Sequence, residues 1–122
     1  MTNKDISFIR GNTKEIVFTI VASDGTNYVL TSKDRLYFTI KTCCQTKNCT
    51  LQKTYGNGII YDTNTNEYII KLDSKDTCEL ESRSYVYDIE IIVDYDGSHI
   101  VSTLAKGNFT LEADVTHRSN EV

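Results

Sequence analysis

The sequence predicts an all-β fold, a sandwich or barrel of antiparallel strands, with at most one short helical turn near residues 74–80. Turn-forming residues recur about every ten positions, a spacing typical of short strands joined by tight connections. No stretch of the chain carries a long helical period. The clearest element is segment 80–111, whose alternation of apolar and polar residues indicates two long strands joined by a tight turn.

The first third of the chain predicts a hairpin and a core strand. A short strand begins at residues 6–9, and the run 15–22 is rich in β-branched residues and apolar on both faces. Such a run favours a strand in the middle of a sheet, covered on two sides. The turn residues 23–27 and a short return strand at 28–30 would complete a hairpin. The next strand has a regular apolar face, formed by Leu36, Phe38 and Ile40.

The middle of the chain predicts further strands and the one helical turn. Segment 42–48 has neither period and is expected to be a loop. A strand at 51–55 turns at the Gly56-Asn57-Gly58 sequence and returns at 59–61. Ser74 can cap one helical turn that runs to about Leu80. Between these elements lies a strand whose apolar face comprises Tyr68, Ile70 and Leu72.

The hairpin at 80–111 has two alternating strands. Asp96-Gly97 supplies the positive φ that a tight hairpin turn requires. The apolar face of the first strand comprises Tyr85, Tyr87, Ile89, Ile91 and Val93. The second strand is expected to keep one register through Val101, Thr103, Ala105, Gly107, Phe109 and Leu111.

Composition and charge narrow the possible functions. The 122 residues predict one domain at 6–116, with a frayed N-terminus at 1–5 and a mobile C-terminal tail at 117–122. The net charge of -4 and the scattered basic residues argue against nucleic-acid binding. No apolar run approaches the roughly 20 residues of a membrane span, and the N-terminus has no signal-peptide core. We therefore expect synthesis in the cytoplasm, with no membrane partner.

The four cysteines make a metal site one of three alternatives. Cys43, Cys44, Cys49 and Cys78 offer enough thiolates for a structural zinc ion. Adjacent cysteines on an extended chain point to opposite faces, and the spacing differs from that of zinc knuckles. The sequence favours reduced, partly buried thiols over zinc, with a disulfide after release from the cell as a third alternative.

Other candidate sites have ordinary structural explanations. Asp94-x-Asp96 and Asp62-x-Asn64 resemble the start of a calcium loop, but turn chemistry accounts for both, because Asp and Asn bond to their own backbone. His99 and His117 are not expected to share a site, so we predict no enzyme activity and no cofactor. Eight tyrosines could form a sugar-binding platform, but three fall on predicted core faces and tryptophan is absent.

One motif resembles the region before strand F of immunoglobulin-like sandwiches. Leu80 is followed by Tyr85-x-Tyr87-Asp88-Ile89, and in those sandwiches a tyrosine at this place ties a corner to the backbone. The resemblance implies an antiparallel immunoglobulin-like β-sandwich that lacks the Cys-Trp-Cys core.

A longer pattern resembles short structural proteins of tailed phages and prophages of Gram-positive, clostridia-like bacteria. It comprises Arg10-Gly11-Asn12-Thr13, Leu36-Tyr37-Phe38-Thr39-Ile40-Lys41, Asp76-Thr77, Leu80, Tyr85-Val86-Tyr87-Asp88-Ile89, Thr103, Gly107-Asn108-Phe109-Thr110-Leu111 and Asp114-Val115-Thr116. The chain is more distantly similar to the N-terminal domain of phage baseplate upper proteins. Asn12 departs from the pattern, since aspartate is usual there, and the cysteine-rich loop is not explained by it.

The phage resemblance implies a non-enzymatic virion component present in multiple copies. It would dock to other virion proteins, either as a tail or baseplate adaptor or as a capsid decoration protein. Its final location would be the virion, after synthesis in the host bacterial cytoplasm. The alternative function is a carbohydrate-binding or cell-surface adhesion module.

Overall fold

The computed structural model describes residues 2–42, 50–95 and 97–115, and it confirms the all-β prediction. The strands are β1 (Thr2–Asn3), β2 (Ile6–Ile9), β3 (Lys14–Phe18), β4 (Arg35–Lys41), β5 (Leu51–Tyr55), β6 (Gly58–Asp62), β7 (Glu67–Leu72), β8 (Ser84–Tyr95) and β9 (Ser98–Glu112). One short helix, α1 (Ser74–Thr77), lies in the predicted place.

The strands form one mixed sheet in the order β1-β9-β8-β4-β5-β6-β7-β3, and β2 also pairs with β9. The sheet bends round on itself, so that its two ends line opposite sides of one groove. This path establishes the all-β class, while the immunoglobulin-like sandwich stays a prediction. The prediction that all strands are antiparallel is wrong, because β1 and β2 pair with β9 in parallel and β5 pairs with β6 in parallel. The bend lies at β5 and β6, which pair in parallel over two residue pairs only. The expected return at 59–61 is therefore a corner and not a hairpin.

The core lies between the facing parts of this bent sheet. Strands β4, β7 and β8 each bury alternate side chains, as their sequence periodicity predicted. Phe109 packs edge-on against both Phe8 and Phe38. The buried apolar residues are Ile6, Phe8, Ile20, Leu36, Phe38, Ile40, Ile59, Tyr68, Ile70, Leu72, Tyr85, Tyr87, Ile89, Ile91, Phe109 and Leu111.

The second strand of the long hairpin departs from the predicted single register. Ile89 pairs with Ala105 but Glu90 pairs with Thr103, so Leu104 is an extra residue in β9. This β-bulge moves every residue on its turn side to the opposite face. Val101 is consequently 56% exposed, although the alternation assigned it to the core face. The predicted turn is present, with Gly97 at φ +79°.

The predicted central strand at 15–22 is instead the short terminal strand β3. It ends at Phe18, and Val17 is 47% exposed. Beyond β3 the chain turns back through a bridge between Val21 and Asn27. The predicted return strand at 28–30 is not a strand. Its backbone is held by Tyr68, whose hydroxyl donates to Tyr28 O at 2.9 Å and accepts from Leu30 N at 3.0 Å.

The N-terminus and the helix cap also differ from expectation. The frayed segment expected at 1–5 is in the sheet from residue 2 onward, because β1 pairs with β9 and Lys4 N donates to Lys106 O. The N-cap of α1 is Asp73 and not Ser74; Asp76 Oδ2 accepts a hydrogen bond from Asp73 N at 2.7 Å. The tail expected at 117–122 lies outside the described residues.

Candidate functional site

Several residues of the phage-like pattern meet at one end of the fold. Arg10 donates to Asp114 Oδ1 at 2.7 and 3.1 Å, and its third contact is Leu80 O at 3.1 Å. Gly11 N donates to the hydroxyl of Thr77, which is fully buried. These contacts tie the turn after β2 to α1 and to the segment after β9. Pieces of the pattern from three separate regions of the chain thus form one structural junction.

The tyrosines of the pattern also have structural roles. Tyr85 donates its hydroxyl to Glu81 O at 2.9 Å, four residues upstream, as expected of a tyrosine that ties a corner to the backbone. Tyr87 and Ile89 point into the core, and the Tyr87 hydroxyl donates to Lys4 O. Burial raises the pKa of both tyrosines. These residues build the scaffold.

Gly107 and Phe109 complete the pattern on β9. A Cβ on Gly107 would lie 2.3 Å from Lys4 O, so only glycine lets the N-terminal strand approach this closely. Phe109 is fully buried in the aromatic part of the core. Of the predicted signature residues, only Asp88 lies on the outer face of the sheet. Leu80 is partly buried against the core, and its carbonyl binds Arg10.

The four cysteines considered as alternative zinc ligands cannot be compared as a set, because Cys43, Cys44 and Cys49 lie outside the described residues. Cys78 is half-buried directly after α1, with its Sγ 3.9 Å from Lys75 O. In the described parts of the chain, no three His, Cys, Asp or Glu side chains come together to hold a metal ion. Zinc, free thiols and a disulfide remain the alternatives.

In the two calcium-like sequences, the side chains of Asp62 and Asp94 contact other protein groups. Asp62 Oδ1 accepts from Asn64 N at 2.9 Å, which is the expected turn chemistry. Asp94 contacts the ring of His99 and lies 3.9 Å from Arg35 Nη2. Asp96 is outside the described residues, so the first sequence is tested only in part. Asp94 is therefore paired with basic side chains at the hairpin end.

A groove of about 480 Å³ separates the two ends of the sheet. One wall is residues 14–19, which include β3, and the other is residues 4–7, which include the start of β2. Tyr87, Ile89, Leu104 and Ala105 also line the groove. Among the described strands, β3 pairs only with β7, so its other edge borders this groove. The groove therefore combines a partly apolar lining with one strand edge.

The outward face of β9, β8, β4 and β5 is polar. One row across these strands comprises Lys106, Asp88, Thr39 and Gln52. Gln52 Nε2 donates to Thr39 Oγ1 at 3.1 Å, and a shallow depression of about 430 Å³ lies over this part of the sheet. Burial raises the pKa of Asp88, and nearby Lys41 partly offsets that rise. The face can offer hydrogen bonds, and Val86 and Ile92 add apolar area beside the polar row.

The fold buries several of the tyrosines that could have formed a sugar-binding platform. Tyr68, Tyr85 and Tyr87 are buried on the core face, as expected, and cannot stack on a ligand from solvent. Tyr55 and Tyr61 both pack near Tyr68, with ring centroids 6.1 and 4.8 Å from it. Tyr55 is nevertheless 41% exposed, and Tyr37 lines the polar depression.

Neither a family model nor a curated protein matches this sequence. Within the part of the chain that the structure describes, no helix has the length and apolar character needed to cross a membrane. Sequence reasoning missed the groove because it placed β3 in the middle of the sheet. The apolar run at 15–22 is compatible both with a central strand covered on two faces and with a terminal strand beside a groove.

Proposed function

We propose that the protein is a non-enzymatic structural component of a phage virion, which docks to another virion protein by accepting an extended strand in the groove. The docking partner would belong to the tail, the baseplate or the capsid. The observation that carries this proposal is the strand edge of β3 facing a groove with a partly apolar lining. The resemblance in sequence to phage structural proteins supports the virion setting.

An edge strand recognises extended backbone more readily than any other ligand. Its outward N–H and C=O groups can pair with a partner's main chain, while side-chain pockets select alternate residues of the added strand. Ile16 and Phe18 lie on the inner face of β3 and pack against the core, and Leu104 approaches from β9. A partner strand with apolar residues at alternate positions fits this lining.

The junction at Arg10 supports a structural role in a second way. Arg10 and Gly11 lie in the turn between β2 and β3, and their bonds to Asp114 and Thr77 fix the chain where the two walls of the groove join. A fixed turn between the two walls of the groove lowers the ordering cost of adding a strand. Repetition of such a contact around a particle would convert a weak site into a strong attachment.

The test uses purified particles from a host that carries the gene. Mass spectrometry and antibody labelling should find the protein in assembled virions, and a pull-down with the purified chain should capture a virion protein. Binding to cell wall or glycans without binding to virions would overturn the proposal and favour the adhesion alternative.

Groove variants identify the docking surface. Ser7→Arg with Thr19→Arg places two bulky charges at exposed positions that line the groove, and it should abolish capture. The matched control is Ser98→Arg with Thr63→Arg, which changes the same residue types at exposed positions outside the groove. Equal capture by both variants would rule out the groove as the docking site.

A further inference from the structure

Three apolar side chains lie in one row on the outward face of β3, β7 and β6. Val17 pairs with Ile69, and Ile69 pairs with Ile60, so the three residues share a face in adjacent strands. Val17 is 47% and Ile60 is 41% exposed, and Ile69 is half-buried between them. We call these three residues the apolar row.

The core does not account for the apolar row. The inner faces of the same strands are occupied by Ile16, Ile70 and Ile59, which pack inside the bent sheet. An antiparallel sheet with one solvated face ordinarily carries polar residues on that face. Three β-branched residues in register on the outer face form a continuous surface, whereas scattered exposed apolar residues are ordinary.

Charged residues flank the apolar row along the strands, and on β7 the two flanking residues have opposite charges. On one side lie Lys71 of β7 and Glu15 of β3, which pair with each other. On the other side lie Glu67 of β7 and Asp62 of β6, which also pair. Lys71 and Glu67 are each two residues from Ile69, so they stand about 7 Å from it in opposite directions.

We propose that a second copy of this chain packs its apolar row against this one, with a two-fold axis along the row. Rotation about that axis places Lys71 of one copy opposite Glu67 of the other, and the same contact recurs in the opposite sense. Ile69 meets its own counterpart at the centre, with Val17 and Ile60 on either side. The two sheets would pack in the aligned manner of a β-sandwich, about 10 Å apart.

Charge complementarity selects a second copy as the occupant. A two-fold contact requires a self-complementary surface, and the apolar row has a cation and an anion at equal distances from its centre. A two-fold axis parallel to the strands would instead place Lys71 opposite Lys71. The contact is small, so we expect a concentration-dependent dimer in the class of weak, transient interfaces. This association is independent of the groove and of the virion role.

Sedimentation velocity over a wide concentration range tests the proposal. The wild-type mass should rise from 13.9 kDa toward twice that value as concentration increases. Val17→Lys with Ile60→Lys should remain at 13.9 kDa at every concentration and keep the wild-type circular dichroism spectrum. The matched control, Ile100→Lys with Val101→Lys, replaces two comparably exposed residues on β9 and should associate as the wild type does.

A charge exchange tests the two-fold geometry. Lys71→Glu alone or Glu67→Lys alone should weaken association about tenfold, because each change affects two symmetric ion pairs. The double variant Lys71→Glu with Glu67→Lys should recover wild-type association. Amide exchange or thermal melting shows that each variant is folded before its association is compared.

Several results would overturn the proposal. A wild-type chain that stays monomeric at the highest concentration has no such contact. Folded row variants that still dimerise would place the interface elsewhere, as would a control variant that fails to dimerise. Failure of the double charge exchange to recover association, with the protein folded, would rule out the Lys71–Glu67 contact.

Discussion

Tyr85 combines a buried ring with one specific hydrogen bond. Its ring is buried in the core, and its hydroxyl binds Glu81 O across the corner before β8. Burial of a large ring and one hydrogen bond contribute free energies of different size, so two substitutions at this residue separate them. The same reasoning applies at Tyr28, whose hydroxyl donates to a buried carboxylate.

We expect Tyr85→Phe to lower the free energy of unfolding by about 1 kcal/mol, since only the hydrogen bond is lost. Tyr85→Ala should lower it by about 3 to 5 kcal/mol, because a cavity forms as well. Tyr87→Ala should cost a similar amount, about 3 to 5 kcal/mol. Urea unfolding measures all three, with Val101→Ala as an exposed control. A melting temperature near that of the wild type for both alanine variants would contradict the assigned core face.

Tyr28 should make stability depend on alkaline pH. Its hydroxyl donates to Asp34 Oδ2 at 2.5 Å, and this bond, aided by burial, raises the pKa of Tyr28 to about 12 from the ordinary value of 10.0. A raised folded-state pKa means that the unfolded chain loses its proton first. The stabilising contribution of Tyr28 is therefore complete below pH 10 and declines as pH rises toward 12.

The measurement compares the wild type with Tyr28→Phe by urea unfolding between pH 8 and 11.5 or so. The difference in unfolding free energy should be largest at the lower pH and should shrink above pH 10. A difference that stays constant over this range would show that the hydroxyl titrates normally. Ultraviolet titration of tyrosinate should also show one fewer late-titrating group in the variant.

At the scale of the element, the long hairpin owes its position to contacts on one face and along one edge of β9. Phe109 and Leu111 pack inward, while β1 and β2 run parallel to β9 along its edge. The bulge at Leu104 separates a buried half of the strand from an exposed half. Close approach of the N-terminal chain depends on Gly107.

Gly107→Ala should destabilise the fold by about 1 to 3 kcal/mol, because the added Cβ would overlap Lys4 O. The strain should act first on β1 and β2. Lys4 lies between them; its N–H donates to Lys106 O, and its carbonyl accepts from the Tyr87 hydroxyl. In the glycine variant, amide hydrogen exchange should become faster than in the wild type, and the increase should be larger in residues 2–9 than in β4. Asn108→Ala, on the same strand but exposed, is the control and should change neither quantity. Unchanged exchange in the glycine variant would contradict the close approach.

At the scale of the whole molecule, the bent sheet gives its strands unequal protection. β4 pairs with β5 and β8, and β8 pairs with β4 and β9, so both are enclosed by hydrogen bonds. Among the strands described, β3 has β7 as its one neighbour. The groove beside β3 and the apolar row both lie in this less enclosed part of the molecule.

We expect amide exchange in dilute solution to be slowest in β4 and β8 and clearly faster in β3, because local opening is easiest where a strand has one neighbour. Exchange mass spectrometry at low protein concentration measures the difference. Protection in β3 should increase when a virion partner fills the groove. Protection in β3 equal to that in β4 for the isolated monomer would show that its edge is already covered.

Local patterns in the sequence determined much of this fold. Alternation in β4, β7 and β8 identified the buried faces correctly, since period-two burial follows from strand geometry. Asp96-Gly97 identified the hairpin turn, and the Tyr85 motif identified the tied corner. These features depend on residues close together in the chain, so local rules suffice for them.

The tertiary structure alone decided where strands lie relative to the groove and the apolar row. The run at 15–22 is compatible with a central or a terminal strand, and only pairing with β7 made it terminal. The junction of Arg10 with Asp114 likewise joins residues 104 positions apart. Such contacts form when distant segments close long loops, and the energy of that closure depends on the whole chain. Side-chain periodicity sets which face is buried, whereas long-range pairing sets which edges and faces remain for partners.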